Sequence, residues 1–267
     1  MRTKSPTMAT GLTQSVSRAL SILTCFTDET PELRMTDISQ RLDLTPSLVS
    51  RLLGTLEHDG FVEQDSATGM YRLGRAILTL SGVTLNHNQL RNAALSEMQS
   101  ASQRVNLGVN LSVLDDDKII YLAHIETPDN PRPYTLIGKR NPLHATAMGK
   151  TLLAHLPEAH RDKLVDRLNL IPYTVKTITT RPVLLEQLDA IRQQGYAIEN
   201  EELALGRLCI AGPVRDKSAR VVGSISFSGP LSQTRWETRH AELVENIIEL
   251  CDRVSMRLGY ITAAGMM

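Results

Sequence analysis

Apolar residues recur three and four apart through the start of the chain, and turn signals interrupt them. Over TQSVSRALSILTCFTD (13–28), Val16, Ala19, Leu20, Leu23 and Phe26 fall on one helical face. A short helix is predicted over 37–42, with Thr36 as its N-cap. "DLT" (43–45) is a turn, Thr45 caps a third helix, and Pro46 takes its first position, where a missing N–H costs nothing. That helix stops at Gly60. "FVEQ" and "MYRLG" then flank "DSATG", the pattern of a β-hairpin with a glycine-bearing loop. Three helices and a hairpin in this order predict a winged helix-turn-helix over 1–74.

From Arg75 the period is helical again, predicting a linker helix over 75–92 that leads into a second domain, 93–267. "GVNLSVLDDDKIIYLAHIE" (108–126) reads as two strands around an acidic turn. A helix opened by Pro182 and closed by Gly195 precedes three strands, "YAIE", "LCIAGPV" and "RVVGSISFSG". A long closing helix over 234–258 aligns Leu243, Ile247, Leu250, Val254 and Leu258 on one stripe. Strands and helices mixed without regular alternation predict an α+β fold with an antiparallel sheet.

Composition narrows the function classes. Hydrophobic residues at 42% and charged residues at 22% fit a soluble globular chain. No apolar run approaches the roughly 18 residues of a membrane helix, and no secretory pattern follows Met1. Cys25, Cys209 and Cys251 lie far apart, which argues for a reducing cytoplasm and against a disulfide framework or a structural zinc site, and no cofactor is expected. Net charge is zero, so a case for nucleic acid must come from a local face.

The third helix offers such a face. In TPSLVSRLLGTLEHDG, Leu48, Val49, Leu52, Leu53 and Leu56 take one side, and Ser47, Ser50, Arg51 and Gly54 take the other, without an acid before Glu57. Short hydroxyls and an Arg suit phosphates and base edges of a major groove. Gln64 and Arg72 of the hairpin could follow the neighbouring phosphates. A solvated amphipathic face is the plain alternative, and acids slightly outnumber bases over 1–80, which weakens the basic footprint.

"HATAMGKT" (144–151) ends like a phosphate-binding loop. Such a loop needs GxxxxGK[ST], and His144 stands where the first glycine belongs. The tripeptide also lies inside a helical run, so a nucleotide site is rejected.

MTDISQRLDLTPSLVSRLLGTLEHDGFVEQ and the later YRLG resemble the DNA-binding domain of the IclR family of bacterial transcription regulators. NPLHATAMGKTLLAHL, GYAIENEELALGRLCIAGPV and VVGSISFSGP resemble its effector domain, in the same order. The resemblance implies a GAF-like effector domain behind the winged helix, a homodimer or tetramer on an operator in double-stranded DNA, and a small-molecule effector, an organic acid. Pro46 and Leu48 stand where the family often has Lys and Thr, and Glu199, Met148 and Arg207 also depart from its small-acid members.

Carried over by position, the effector residues are Ala147, Met148, Glu199, Cys209, Ser226 and Ser228. The start of the helix after Thr146 offers free amides and a positive dipole end to an anion. Ser226 and Ser228 share a strand face, as do Arg207 and Cys209. Arg207 is therefore expected to hold a carboxylate, pairing with Glu199 when no ligand is bound. Core packing, an outward-turned Arg207 and solvent-facing serines are the plain alternatives. A small-acid enzyme is disfavoured, since no Ser-His-Asp grouping, metal set or carboxylate pair stands out. A winged domain that makes only protein contacts is a third reading.

Overall fold

The computed structural model describes residues 12–127 and 137–261. The chain divides into two compact units, one through Asn86 and one from His87.

The first unit is built from α1 (Gln14–Leu23), β1 (Glu32–Leu33), α2 (Met35–Leu42), α3 (Pro46–His58), β2 (Val62–Gln64), β3 (Tyr71–Leu73) and α4 (Arg75–Asn86). The three helices bury Ile22, Ile38, Val49 and Leu53 together with Val62 of the hairpin. Two local expectations are corrected. On the expected face Phe26 is buried and Ala19 and Leu23 pack against the core, whereas Val16 and Leu20 are exposed and Ile22 and Cys25 are buried instead. Both sets have helical spacing, and only the partner helices choose between them. The second helix starts at Met35 rather than after Thr36, because the Asp37 carboxylate accepts the Arg34 N–H at 3.0 Å and satisfies the helix start. Thr45 and Pro46 stand at the N-cap and first position of α3. β1 joins the hairpin on its β3 side, a two-residue pairing too short to show as a pattern.

No residue of α4 is buried. The linker helix expected over 75–92 is interrupted at His87 and Asn88, and α5 (Gln89–Val105) follows. The Asn88 side chain accepts the Arg91 N–H at 2.9 Å, so a new helix begins where one continuous helix was expected.

The second unit continues with β4 (Gly108–Asp115), β5 (Lys118–Ile125), β6 (Arg140–Pro142), α6 (Ala147–Ala154), α7 (Glu158–Arg167), α8 (Arg181–Gln194), β7 (Ala197–Asn200), β8 (Arg207–Arg215), β9 (Val221–Pro230), α9 (Leu231–Thr234) and α10 (Trp236–Arg257). Its strands form one sheet in the order β6-β5-β4-β9-β8-β7, with every neighbouring pair antiparallel. Alternation along the strands divides the side chains between two cores. Val109, Leu111, Ile225 and Phe227 pack against α5 and α10, while Ile119, Tyr121, Ala197 and Ala211 pack against α6 and α8. The closing helix is divided from α9 by Arg235, which adopts a left-handed conformation at φ 43°.

Candidate effector cavity and nucleic-acid face

All eight residues of α6 are buried. Its N-cap, Thr146, accepts the Gly149 N–H at 3.1 Å and donates to the Pro142 carbonyl at 2.8 Å. The amides of Ala147 and Met148, first in the helix, have no acceptor within it and point outward from its positive end.

Each residue of the Gly-Lys-Thr tripeptide has a packing role. A β-carbon at Gly149 would stand 2.4 Å from the Leu143 carbonyl oxygen, so only glycine lets this turn approach. Lys150 is fully buried and donates to Glu202 at 2.5 Å. The Thr151 hydroxyl bonds the Ala147 carbonyl at 2.9 Å. His144 is buried with its Nε2–H on the Ile171 carbonyl, 3.1 Å away.

The N-terminus of α6 opens on a cavity of about 600 Å³, within the usual size range of small-molecule sites. Ala147, Met148, Glu199, Arg207, Cys209, Ser226 and Ser228 all line it. β8 and β9 explain the convergence: Cys209 is paired with Ser228 and Ala211 with Ser226, so one sheet face carries all the polar groups. Ser226 and Ser228 are buried, not solvent-facing, and Met148 both packs in the core and accepts the Ser112 hydroxyl at 3.3 Å. Arg207 turns inward, donating from Nη2 to Ser228 Oγ at 2.6 Å.

The expected Glu199–Arg207 pair is corrected. The Glu199 carboxylate instead accepts the backbone N–H of Glu202 at 2.7 Å and of Leu203 at 3.1 Å. These donors come from the loop that follows β7, nearer to Glu199 than a side chain two strand positions away. Burial pushes the Glu199 carboxyl upward, and these amide bonds partly offset it. Burial, with Glu199 alongside, likewise raises the Cys209 thiol and keeps it protonated. Lys150 is pulled down by burial, against the opposing attraction of Glu202.

The cavity also contains residues the sequence did not single out. Asn110 donates to Ser226 Oγ at 3.3 Å, and its Oδ1 accepts the His124 Nδ1–H at 2.7 Å. Asn141 donates to the Tyr121 hydroxyl at 3.1 Å, and Lys139 stands nearby in the lining. Asn110 carried a usable signal, an amide side chain among the apolar residues of GVNLSVL, whose other polar residue is Ser112. Lys139 carried none. Among the described residues no group of three His, Cys, Asp or Glu side chains could hold a metal ion.

In the first unit Ser47, Ser50 and Arg51 are exposed together along α3, opposite buried Val49, Leu52 and Leu53. The hairpin residues are engaged differently. Arg72 Nε donates to Glu63 at 2.6 Å across the β2–β3 pair, and the Gln64 amide donates to the Gly69 carbonyl at 3.0 Å. Both side chains hold the wing in shape.

Residues 15–66 match the model of the IclR helix-turn-helix domain, and residues 82–256 match that of the bacterial transcriptional regulator IclR C-terminal domain. The chain belongs to the IclR family. It is 34% identical over 247 residues to the HTH-type transcriptional regulator XynR of Escherichia coli (strain K12), covering 92% of this chain and 98% of that one. The crystal structure of Thermotoga maritima IclR aligns with a TM-score of 0.73 at 26% identity, covering 92% of this chain and 99% of that one. That of an IclR homolog from Microbacterium hydrocarbonoxydans, complexed with 4-hydroxybenzoate, aligns at 0.80 and 23% identity over 92% and 99% of the two chains. This IclR-family member is a DNA-binding transcription regulator with a C-terminal effector domain, and it is not an enzyme. Among its described residues no helix is long and apolar enough to cross a membrane.

Proposed function

We propose that this regulator controls a catabolic operon in the cytoplasm in response to a small organic acid held in the α6 cavity. The observation that carries the reading is the position of Arg207 in a cavity that also receives the first amides of α6. A guanidinium and a helix N-terminus both suit a carboxylate. Ser226, Ser228 and Asn110 would orient the rest of the molecule, with Met148 and Cys209 as apolar wall. The homolog with 4-hydroxybenzoate, itself a carboxylate, supports the same ligand class.

The division of labour follows the predicted boundaries. Residues 1–74 bind the operator through Ser47, Ser50 and Arg51, with Gln64 and Arg72 on the wing, 75–92 connect, and 93–267 sense. An inverted-repeat operator calls for a homodimer or a tetramer. The exposed Leu78, Leu80 and Val83 of α4 support self-association, since that helix has a single charged residue, Arg75.

Two measurements test this. A mobility shift on DNA upstream of the chain's own gene should show a saturable specific complex, and its absence would remove the operator reading. Calorimetric titration with carboxylic acids chosen from neighbouring catabolic genes should give binding to the wild type and strongly weakened binding to Arg207→Leu, whose ligand-free DNA affinity should be unchanged. Equal affinity for both proteins would place Arg207 outside the ligand contacts.

A further inference from the structure

Lys150 and Glu202 form the most buried ion pair among the described residues, and the cavity reading does not use them. They nevertheless join its two walls. Lys150 lies one turn beyond Ala147 on α6, and Glu202 is the second residue of the loop 201–206, whose following residues, Leu203 to Gly206, also line the cavity. Leu205 on that loop is 65% exposed, while the loop backbone is held by Glu199 at the Glu202 and Leu203 amides and by the Leu231 N–H on the Gly206 carbonyl, 3.0 Å away.

The loop is fastened at its start. Thr174 Oγ1 donates to the Glu201 carbonyl at 2.6 Å and Thr177 Oγ1 to the Glu202 carbonyl at 2.6 Å. The Glu202 carboxylate has Lys150 on one oxygen, while its other oxygen is buried without a hydrogen-bond partner among the described residues. An acid satisfied on one side only stays buried because a cation is fixed beside it. Removing that cation leaves a buried charge uncompensated. Glu202 is buried with its backbone held by Glu199 and Thr177, so it reaches water only if the loop breaks those bonds and leaves α6. Lys150, in the middle of a buried helix, cannot make the matching move.

The geometry points to the Lys150–Glu202 pair as the strut that holds the loop 201–206 against α6 and sets the closed width of the cavity. Lys150 is a positioning residue and not a ligand contact. The inference rests on the cavity being the effector site only for its consequence, which is that ligand affinity depends on the strut. The strut itself can be tested without any ligand.

Cys209 supplies the readout, because it lines the cavity as a half-buried free thiol whereas Cys251 is buried in the other core. Iodoacetamide labelling of the full chain, mapped to each cysteine by mass spectrometry, would be compared among wild type, Lys150→Met and Glu202→Lys. The second variant changes only the loop, leaving α6 intact and replacing attraction by repulsion. Both variants should label Cys209 about tenfold faster, with Cys251 unchanged and with amide-exchange protection lost at Leu203–Gly206, as expected of a local opening. Cys209 labelling within about twofold of wild type in either folded variant would overturn the strut. So would joint exposure of Cys209 and Cys251 in both variants, which would assign the pair to the fold of the whole unit. Failure of the carboxylate titrations with accelerated Cys209 labelling would refute the effector reading and leave the strut standing.

Discussion

Gly149 lies so close to Leu143 that an added β-carbon would stand 2.4 Å from its carbonyl oxygen and 2.5 Å from its Cα. Both obstacles are backbone atoms, so relief requires α6 to shift away from the turn that carries its N-cap. Gly149→Ala should therefore destabilise the second unit by about 1–3 kcal/mol, despite the better helix propensity of alanine. Urea unfolding followed by Trp236 fluorescence would measure it, and an unchanged midpoint would show that the helix start yields.

Because Lys150 is engaged with Glu202 inside the core, it has no reach to a phosphate. Neither ATP nor GTP, up to millimolar concentration, should raise the melting temperature of the wild type. A saturable shift would restore the phosphate-loop reading.

Arg51 stands exposed on α3 beside Ser47 and Ser50. Arg51→Ala should weaken operator binding by about 1–3 kcal/mol if the guanidinium reads a base. If it contacts phosphate only, all sequences should weaken alike and the salt slope should fall by about one unit. Titrations of operator and unrelated DNA at several salt concentrations separate these outcomes, and unchanged binding would remove Arg51 from the interface.

The second unit should lose stability in mild acid. Burial lowers the pKa of His124, His144 and His155 below the usual 6.5. A group with a depressed folded pKa stays neutral in the native state while the unfolded chain takes up its proton. The stabilisation is therefore complete above pH 6.5 and is lost as pH falls from there towards the folded values. The slope cannot exceed about 1.4 kcal/mol per pH unit for each histidine. Melting temperatures measured between pH 7.5 and 5.5 should fall, and His144→Gln should flatten the decline. A pH-independent melt would show that the three rings are protonated in place.

The sequence was most informative where a local rule and a tertiary demand coincide. Pro46 after Thr45 marked a helix start, and the alternation of Ser226 with Ser228 located a polar strand face, because both signals are contained in a few neighbouring residues. It failed where two solutions share one period. The face of α1 could not be chosen between Ile22 and Leu20 without the packing of α2 and α3. The partner of Glu199 was misread because the competing donors were backbone amides, which every residue carries. The wing residues Gln64 and Arg72 resembled DNA contacts by type, but the Gly69 carbonyl in the hairpin loop and Glu63 on the paired strand also compete for them. Asn141 reaches the cavity from a short edge strand whose three residues, RNP, show no strand pattern, and Lys139 from the position before it.

One consequence follows from the break at His87 and Asn88. Each unit closes its own core, Ile22 with Leu53 in one and Phe227 with Leu250 in the other. Heating should therefore produce two heat-absorption peaks, so that no single calorimetric enthalpy describes the chain. The smaller unit shields a lesser share of its surface and should melt first. Gly149→Ala would then move only the upper peak in differential scanning calorimetry, and substitutions on α3 only the lower. A single peak displaced by both would mean that sensing and reading halves melt as one cooperative body, a direct thermal measure of how tightly the effector is coupled to the operator.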